Sequence, residues 1–93
     1  MSAKVHFKFR LYIAGDGPNS TQAVANLKSL CRDLLPNRHE IEIVDVLREP
    51  QRALDDQVFL TPMLLKLSPA PVRRIVGTLS QRELLLQGLG LKS

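Results

Sequence analysis

Apolar and polar residues alternate along residues 5–14, and this pattern predicts a β-strand near the start of the chain. The alternation passes into a continuous apolar run, Leu-Tyr-Ile-Ala, which is typical of a strand that is covered on both faces. A turn signal, Gly-Asp-Gly-Pro at residues 15–18, ends this strand. Apolar residues then recur at helical spacing until Pro36, which predicts a helix capped by one of residues 19–21, Asn-Ser-Thr.

Shorter elements follow in the second half of the chain. Residues 41–47 are rich in β-branched side chains and predict a strand, and residues 51–57 after Pro50 predict a short helix. Residues 60–67 and 72–76 predict two strands of a hairpin, joined by residues 68–71. Ser80 and Glu83 have the spacing of a capping box, which predicts a last helix that Gly88 and Gly90 end.

This order of elements predicts one α/β domain over residues 1–93, with the thioredoxin-like βαβαββα plan and a central mixed sheet. The first strand–helix–strand unit predicts a parallel pair of strands. In such a plan, the position of Thr61 and Pro62 commonly carries a cis proline that faces the loop after the first strand. We therefore expect these two residues to have a structural role.

The net charge of +4 and the pI near 9.7 raise the question of nucleic-acid binding. Most basic residues are scattered singly among acidic ones, and one Tyr and three Phe offer little surface on which bases could stack. We predict that the chain does not bind nucleic acid, and a basic surface also suits an acidic protein partner. No apolar run is long enough to span a membrane, so we expect a cytoplasmic protein.

The sequence holds no arrangement of residues that predicts catalysis, a metal site or a cofactor. Cys31 is the only cysteine, which excludes a dithiol centre, and it lies in the apolar pattern of the first predicted helix. His6 and His39 are far apart and lack the spacing of metal ligands. A residual redox or glutathione-binding enzyme is one alternative, but Cys31 lies well inside that helix, away from Thr61 and Pro62.

Arg73 and Arg74 are adjacent on a predicted strand, so their side chains point to opposite faces of the sheet. At least one of the two is therefore exposed and available to a partner. The alternative is an edge strand that charge keeps soluble.

Three blocks of sequence, in order over nearly the whole chain, resemble the KaiB family. The blocks are LYIAG at 11–15 with PNS at 18–20, IVDVL at 43–47 with Pro50, and Thr61-Pro62 with PAPVRRIVG at 69–77 and LS at 79–80. The resemblance implies a protein without catalysis that binds the ATPase ring of KaiC, helps to oppose KaiA and changes which histidine kinase is engaged. A KaiB-like sensory adaptor in stress or two-component signalling, without a full clock, is the alternative.

The resemblance also implies that the chain can exist as a homo-oligomer. Family members are metamorphic, because they shift between a tetrameric ground-state fold and a thioredoxin-like monomer that binds KaiC. Such a shift requires two packings that differ by only a few kcal/mol. The elements predicted from the pattern match the thioredoxin-like form, with the ground-state fold as the alternative.

Two groups of residues match functional positions of the family. Lys66, Arg73 and Arg74 match basic positions that are implied to face KaiC. A structural role, or a role in fold switching, is implied for the second group, which comprises Thr61, Pro62, Gly77, Gly88 and Gly90.

The chain departs from the family at several positions. Thr78 and Gly90 stand where the family often has aspartate, and Glu42 and Gln57 stand where clock members tend to carry lysine. The sequence stops at Ser93 without the acidic tail that is usual in clock members. We expect these losses to favour the thioredoxin-like form, and the charge changes to affect the choice of partner.

Overall fold

In a computed structural model, which describes residues 5–91, three helices cover the two faces of one four-stranded sheet. The strand order is β2-β1-β3-β4; β1 is parallel to β2 and antiparallel to β3, and β3 is antiparallel to β4. This architecture confirms the predicted thioredoxin-like plan, including the parallel first unit and the hairpin. The elements are β1 (Phe7–Ile13), α1 (Pro18–Leu34), β2 (His39–Asp45), α2 (Pro50–Asp55), β3 (Met63–Ser68), β4 (Arg73–Val76) and α3 (Arg82–Leu89).

The sheet has an apolar core on each face. On one face, α1 and α3 pack against alternate residues of β1 and β3, among them Phe9, Leu11 and Leu64. On the other face, α2 and the loop after it contribute Ala53 and Val58 to a smaller cluster, whose other buried members are Tyr12, Val44, Met63 and Leu65. The central strand β1 contributes to both cores, which agrees with its continuous apolar run.

The predicted cap of α1 is wrong. Gly17 is the N-cap residue, and Pro18 occupies the start of the helix, where its fixed φ is already helical and no N–H is missed. Ser20 and Thr21 lie inside the first turn, and their hydroxyls donate to the carbonyl oxygens of Ala14 at 3.4 Å and Asp16 at 3.3 Å. Proline at the first position therefore decides the start of this helix.

The bounds of the middle elements differ from the prediction by a few residues. β2 begins at His39, two residues before the predicted start, and ends at Asp45, because Asp45 accepts hydrogen bonds from the backbone N–H groups of Gly15 and Leu47 and so forms a turn. α2 begins at Pro50. β3 begins at Met63, three residues after the predicted start.

The predicted start of α3 is also wrong, and of the two glycines predicted to end the helix only Gly90 does so. The helix begins at Arg82 with Gln81 as N-cap and without a side-chain cap, and the hydroxyl of Ser80 accepts instead from Thr78. Gly88 lies inside the last turn, and Gly90 alone ends the helix, in the left-handed region at φ 75°. A Cβ at residue 88 would lie 2.9 Å from Cδ1 of Ile75, so glycine here allows α3 to approach β4 closely.

The bond between Thr61 and Pro62 is cis, as the plan predicted. These two residues face the start of α1 across a cavity of about 240 Å³ that Gly17 and Pro18 also line. The bonds before Pro69 and Pro71 are cis as well. None of the helices in residues 5–91 has the length and apolar character that crossing a membrane requires.

Candidate functional site

Three strongly exposed apolar side chains lie on α2 and in the loop that follows it. Leu54, Phe59 and Leu60 are 61%, 78% and 62% exposed, respectively, whereas Val58 between them is buried in the smaller core. The backbone N–H of Gln57 donates to the carbonyl of Leu54 at 3.1 Å, and that of Val58 donates to Ala53 at 2.8 Å. We call residues 54–60 the docking segment, because it is a closed turn that presents apolar groups to solvent.

A network of charged side chains joins α2 to the sheet beside this segment. Arg10 of β1 donates from Nε to Glu42 of β2 at 2.7 Å and from Nη1 to Asp56 at 2.9 Å. Arg52 of α2 also pairs with Glu42, at 2.7 Å. The hydroxyl of Tyr12 donates to the Asp56 carboxylate and lies 3.0 Å from the carbonyl oxygen of Arg52. Two strands thus hold one short helix through partly buried charges.

The network shifts the pKa of its members in the direction that favours the charged pairs. Hydrogen bonds from Arg10 and Arg52 lower the pKa of Glu42, and hydrogen bonds from Tyr12 and Arg10 lower the pKa of Asp56. Burial, together with the bond to Asp56, raises the pKa of Tyr12 to about 12. At neutral pH, both carboxylates are charged and the tyrosine is a neutral donor.

Arg74 of β4 lies on the same face of the sheet as α2 and binds the backbone just after this helix. Its Nη1 donates to the carbonyl oxygen of Asp56 at 2.8 Å, and its Nη2 donates to the carbonyl oxygen of Gln57 at 2.7 Å. Nη2 also lies 3.3 Å from the sulfur of Met63. Arg74 is exposed, as predicted for at least one of the two arginines, but its guanidinium is engaged with the docking segment.

Lys66 and Arg73 lie on the opposite face of the sheet from Arg74, because they pair directly across β3 and β4. Lys66 is only 4% exposed, and its Nζ lies 6.0 Å from the centre of the Phe7 ring. Burial, with the nearby charge of Arg73, lowers its pKa. The expectation that Lys66 faces a partner does not fit this conformation, whereas Arg73 is exposed.

The residues around Gly77 connect β4 to α1 and α3. Gly77 has a φ of 122°, which favours glycine, and the amide of Asn26 donates to the carbonyl oxygen of Thr78 at 2.7 Å. Arg82 at the start of α3 pairs with Asp33 of α1 at 3.2 Å. Thr78, which departs from the family pattern, therefore lies in a segment whose backbone is bound by α1. The hydrogen bond from Asn26 does not require an aspartate side chain at position 78.

Cys31 is fully buried in the larger core, where burial raises the pKa of its thiol to about 12. Such a thiol is a poor nucleophile, because the reactive form is the thiolate. We expect iodoacetamide at pH 8 to label the native protein at least about a hundredfold more slowly than the guanidinium-unfolded protein, as mass spectrometry can follow. Equal rates would restore the redox alternative.

The sequence pattern did not single out Asp56, which lies within the short helix predicted at residues 51–57. The available signal was the polar face of β1, where Arg10 and Tyr12 alternate with the apolar residues. A strand covered on both faces can carry such side chains only if the covering element supplies partners for them. The helix that covers this face is α2, and Asp56 supplies the acceptor for both.

The whole chain is similar to known clock proteins. The family model described as the KaiB domain matches residues 10–91. The circadian clock oscillator protein KaiB of Prochlorococcus marinus (strain MIT 9515) is 42% identical over 91 residues, which cover 98% of this chain and 84% of that protein. The circadian clock protein KaiB3 of Synechocystis sp. (strain ATCC 27184 / PCC 6803 / Kazusa) is 43% identical over 88% of this chain and 80% of its own.

Solved structures with low sequence identity share the fold. The N-terminal domain of Synechococcus elongatus SasA has a TM-score of 0.74 at 19% identity, over 97% of this chain and 89% of that one. Fasciola hepatica thioredoxin has a TM-score of 0.73 at 16% identity, over 96% and 84%. The family model and the identity to curated relatives, together with this fold, establish that the chain belongs to the KaiB family.

Proposed function

We propose that this protein is a non-enzymatic regulator that binds a KaiC-type ATPase ring through its docking segment and modulates the output of that ring. The observation that carries the proposal is the exposure of Leu54, Phe59 and Leu60 on one closed turn beside a network of charges. Large apolar side chains that are exposed together and bordered by polar groups are typical of protein-binding surfaces. The named relatives are circadian clock proteins, which supports a partner from the same system.

The proposed binding face for the KaiC-type ring comprises β2, α2 and the loop before Thr61. Glu42 and Gln57, which stand where clock members tend to carry lysine, both lie on or beside it. Glu42 is engaged with Arg10 and Arg52, so its charge is already paired within the chain. Contacts of the apolar residues therefore supply most of the binding energy in this proposal. KaiA and a histidine kinase remain further predicted partners.

The Phe59→Ala variant tests the proposed surface. We expect the affinity for the KaiC homologue of the same genome to fall about tenfold or more, because an exposed aromatic ring that becomes buried on binding is a typical hot spot. Size-exclusion chromatography with light scattering, in ATP and in ADP, measures formation of the ring complex. Titration of a labelled protein gives the affinity in each nucleotide.

Leu84→Ala is the matched control for this test. Leu84 is 61% exposed on α3, which covers the opposite face of the sheet. We expect this variant to bind like the wild type. If Leu84→Ala weakens binding and Phe59→Ala does not, the ring binds the other face. If the wild type binds in neither nucleotide, the proposed function is wrong and the sensory adaptor becomes the better hypothesis.

A further inference from the structure

The docking segment begins in the last residues of α2, a helix that is too short to be stable by itself. α2 has six residues, and isolated helices shorter than about 12 residues are marginal in water. Ala53 is its one buried residue among those the structure describes. The orientation of Phe59 and Leu60 therefore depends on the contacts that fix the end of this helix.

Arg74 supplies the contact at that end. The last carbonyl groups of a helix lack partners within the helix and carry partial negative charge, so a cation that hydrogen-bonds to them stabilises the terminus. One guanidinium reaches two successive carbonyl oxygens, those of Asp56 and Gln57. Gln57 has a φ of 56°, in the left-handed region, so the chain turns sharply where Arg74 holds it.

We propose that Arg74 is a positioning residue: its guanidinium, bonded to the carbonyl oxygens of Asp56 and Gln57, fixes the orientation of Phe59 and Leu60 in the loop between α2 and β3. This inference rests on the proposed function, because it concerns the segment to which that function assigns the partner. It differs from the expectation drawn from the sequence, in which Arg74 contacts the partner through its charge. Both hydrogen bonds are made within the free protein and use both of its terminal nitrogens.

Arg74→Lys separates positioning from charge. Lysine keeps the positive charge, but its ammonium group is a single point and cannot bridge two carbonyl groups in the way that a planar guanidinium does. If Arg74 positions the segment, the lysine variant binds the KaiC homologue at least fivefold more weakly. If Arg74 acts through its charge, the lysine variant binds nearly as well as the wild type.

Arg32→Lys is the control for exchange of an arginine for a lysine away from the docking segment. Arg32 lies on α1, which covers the opposite face of the sheet, and its side chain is 75% exposed. We expect this variant to change the affinity for the KaiC homologue less than twofold. A loss as large as that of Arg74→Lys would overturn the proposal, because the two residues share only their charge.

Hydrogen exchange measured by NMR on the free protein gives a readout that needs no partner. The amides of Gln57 and Val58 are hydrogen-bonded within the turn that Arg74 holds. We expect Arg74→Lys to increase their exchange rates at least tenfold while amides of α1 keep their protection. Unchanged rates at Gln57 and Val58, or a uniform increase over the whole chain, would overturn the proposal.

The two measurements distinguish a failure of this inference from a failure of the proposed function. Faster exchange at Gln57 and Val58, in a protein whose wild type binds no KaiC homologue, would support positioning by Arg74 and contradict the proposed partner. Wild-type binding that Arg74→Lys leaves intact, with unchanged exchange, would support the partner and contradict positioning.

Discussion

Asp56→Ala is expected to lower the free energy of unfolding by about 2–3 kcal/mol. The Asp56 carboxylate accepts hydrogen bonds from Arg10, at 2.9 Å, and from the hydroxyl of Tyr12, and its side chain is 28% exposed. Without it, a partly buried guanidinium loses one of its two acceptors and a fully buried tyrosine loses its charged acceptor. Urea unfolding followed by circular dichroism measures the change.

Asp55→Ala is the matched control, because Asp55 has the same charge at the adjacent position. Its carboxylate accepts only from Gln51, four residues earlier on the exposed side of α2, among the contacts of residues 5–91. We expect a change within about 0.5 kcal/mol. Equal losses in the two variants would show that the network around Asp56 adds nothing to stability.

The contribution of Asp56 depends on pH in a defined direction. Its pKa is lower in the folded protein than in the unfolded chain, first because of the bond from Tyr12 and then because of Arg10. The stabilisation is therefore complete above the unfolded pKa of about 4 and is lost as the pH falls through the lower folded pKa. The difference between wild type and Asp56→Ala should shrink at acid pH and stay constant between about pH 6 and 8.

Leu27→Ala is expected to cost about 3 kcal/mol or more, which is a large part of the stability of a small domain. Leu27 is fully buried in the centre of α1, within the core that α1 and α3 form on the sheet. Alanine removes apolar contacts and leaves a cavity that the surrounding helices and strands fill only partly. Thermal and urea unfolding both report the loss.

Leu34→Ala tests whether burial is the cause. Leu34 is on the same helix, is 37% exposed and lies in the last turn, so the same chemical change should cost less than about 1 kcal/mol. If both variants lost the same stability, helix formation and not core packing would explain the effect.

The elements with strong periodicity could be predicted from the sequence. β1 alternates clearly and α1 has apolar residues at helical spacing over 17 residues, so both were recognised with bounds within a few residues. The order of elements then led to the correct sheet, because short connections and parallel pairing leave few alternatives. Local pattern was sufficient wherever an element buries one regular face.

The ends of the helices could not be predicted in the same way. Ser80 and Glu83 have capping-box spacing, but Ser80 lies outside α3 and interacts with Thr78. Gly88 has the composition of a helix end, yet it lies inside the helix, where a Cβ would come within 2.9 Å of Cδ1 of Ile75 on a neighbouring strand. At Gly88 the contact is with a distant part of the chain, whereas at Ser80 a neighbouring residue competes for the hydroxyl.

The candidate site depended even more on distant contacts. Arg74 reaches residues 17 and 18 positions earlier in the sequence, and Tyr12 reaches Asp56 across 44 positions. The resemblance implied that Lys66 faces a partner, but β3 is covered on both faces at this point and its side chain lies over Phe7. Residue type alone is therefore a weaker guide to the members of the candidate site than the register of the sheet.

Dissolved sulfate should act in opposite directions on the two faces of the sheet. It is excluded from protein surfaces and so favours apolar burial, which is how α1 and α3 are attached. The same ions screen partly exposed pairs, such as those between Arg52 and Glu42 that attach α2. Rising sulfate should therefore strengthen the packing of α1 and α3 while it weakens the ion pairs of α2, so that the balance between the two attachments depends on solvent composition.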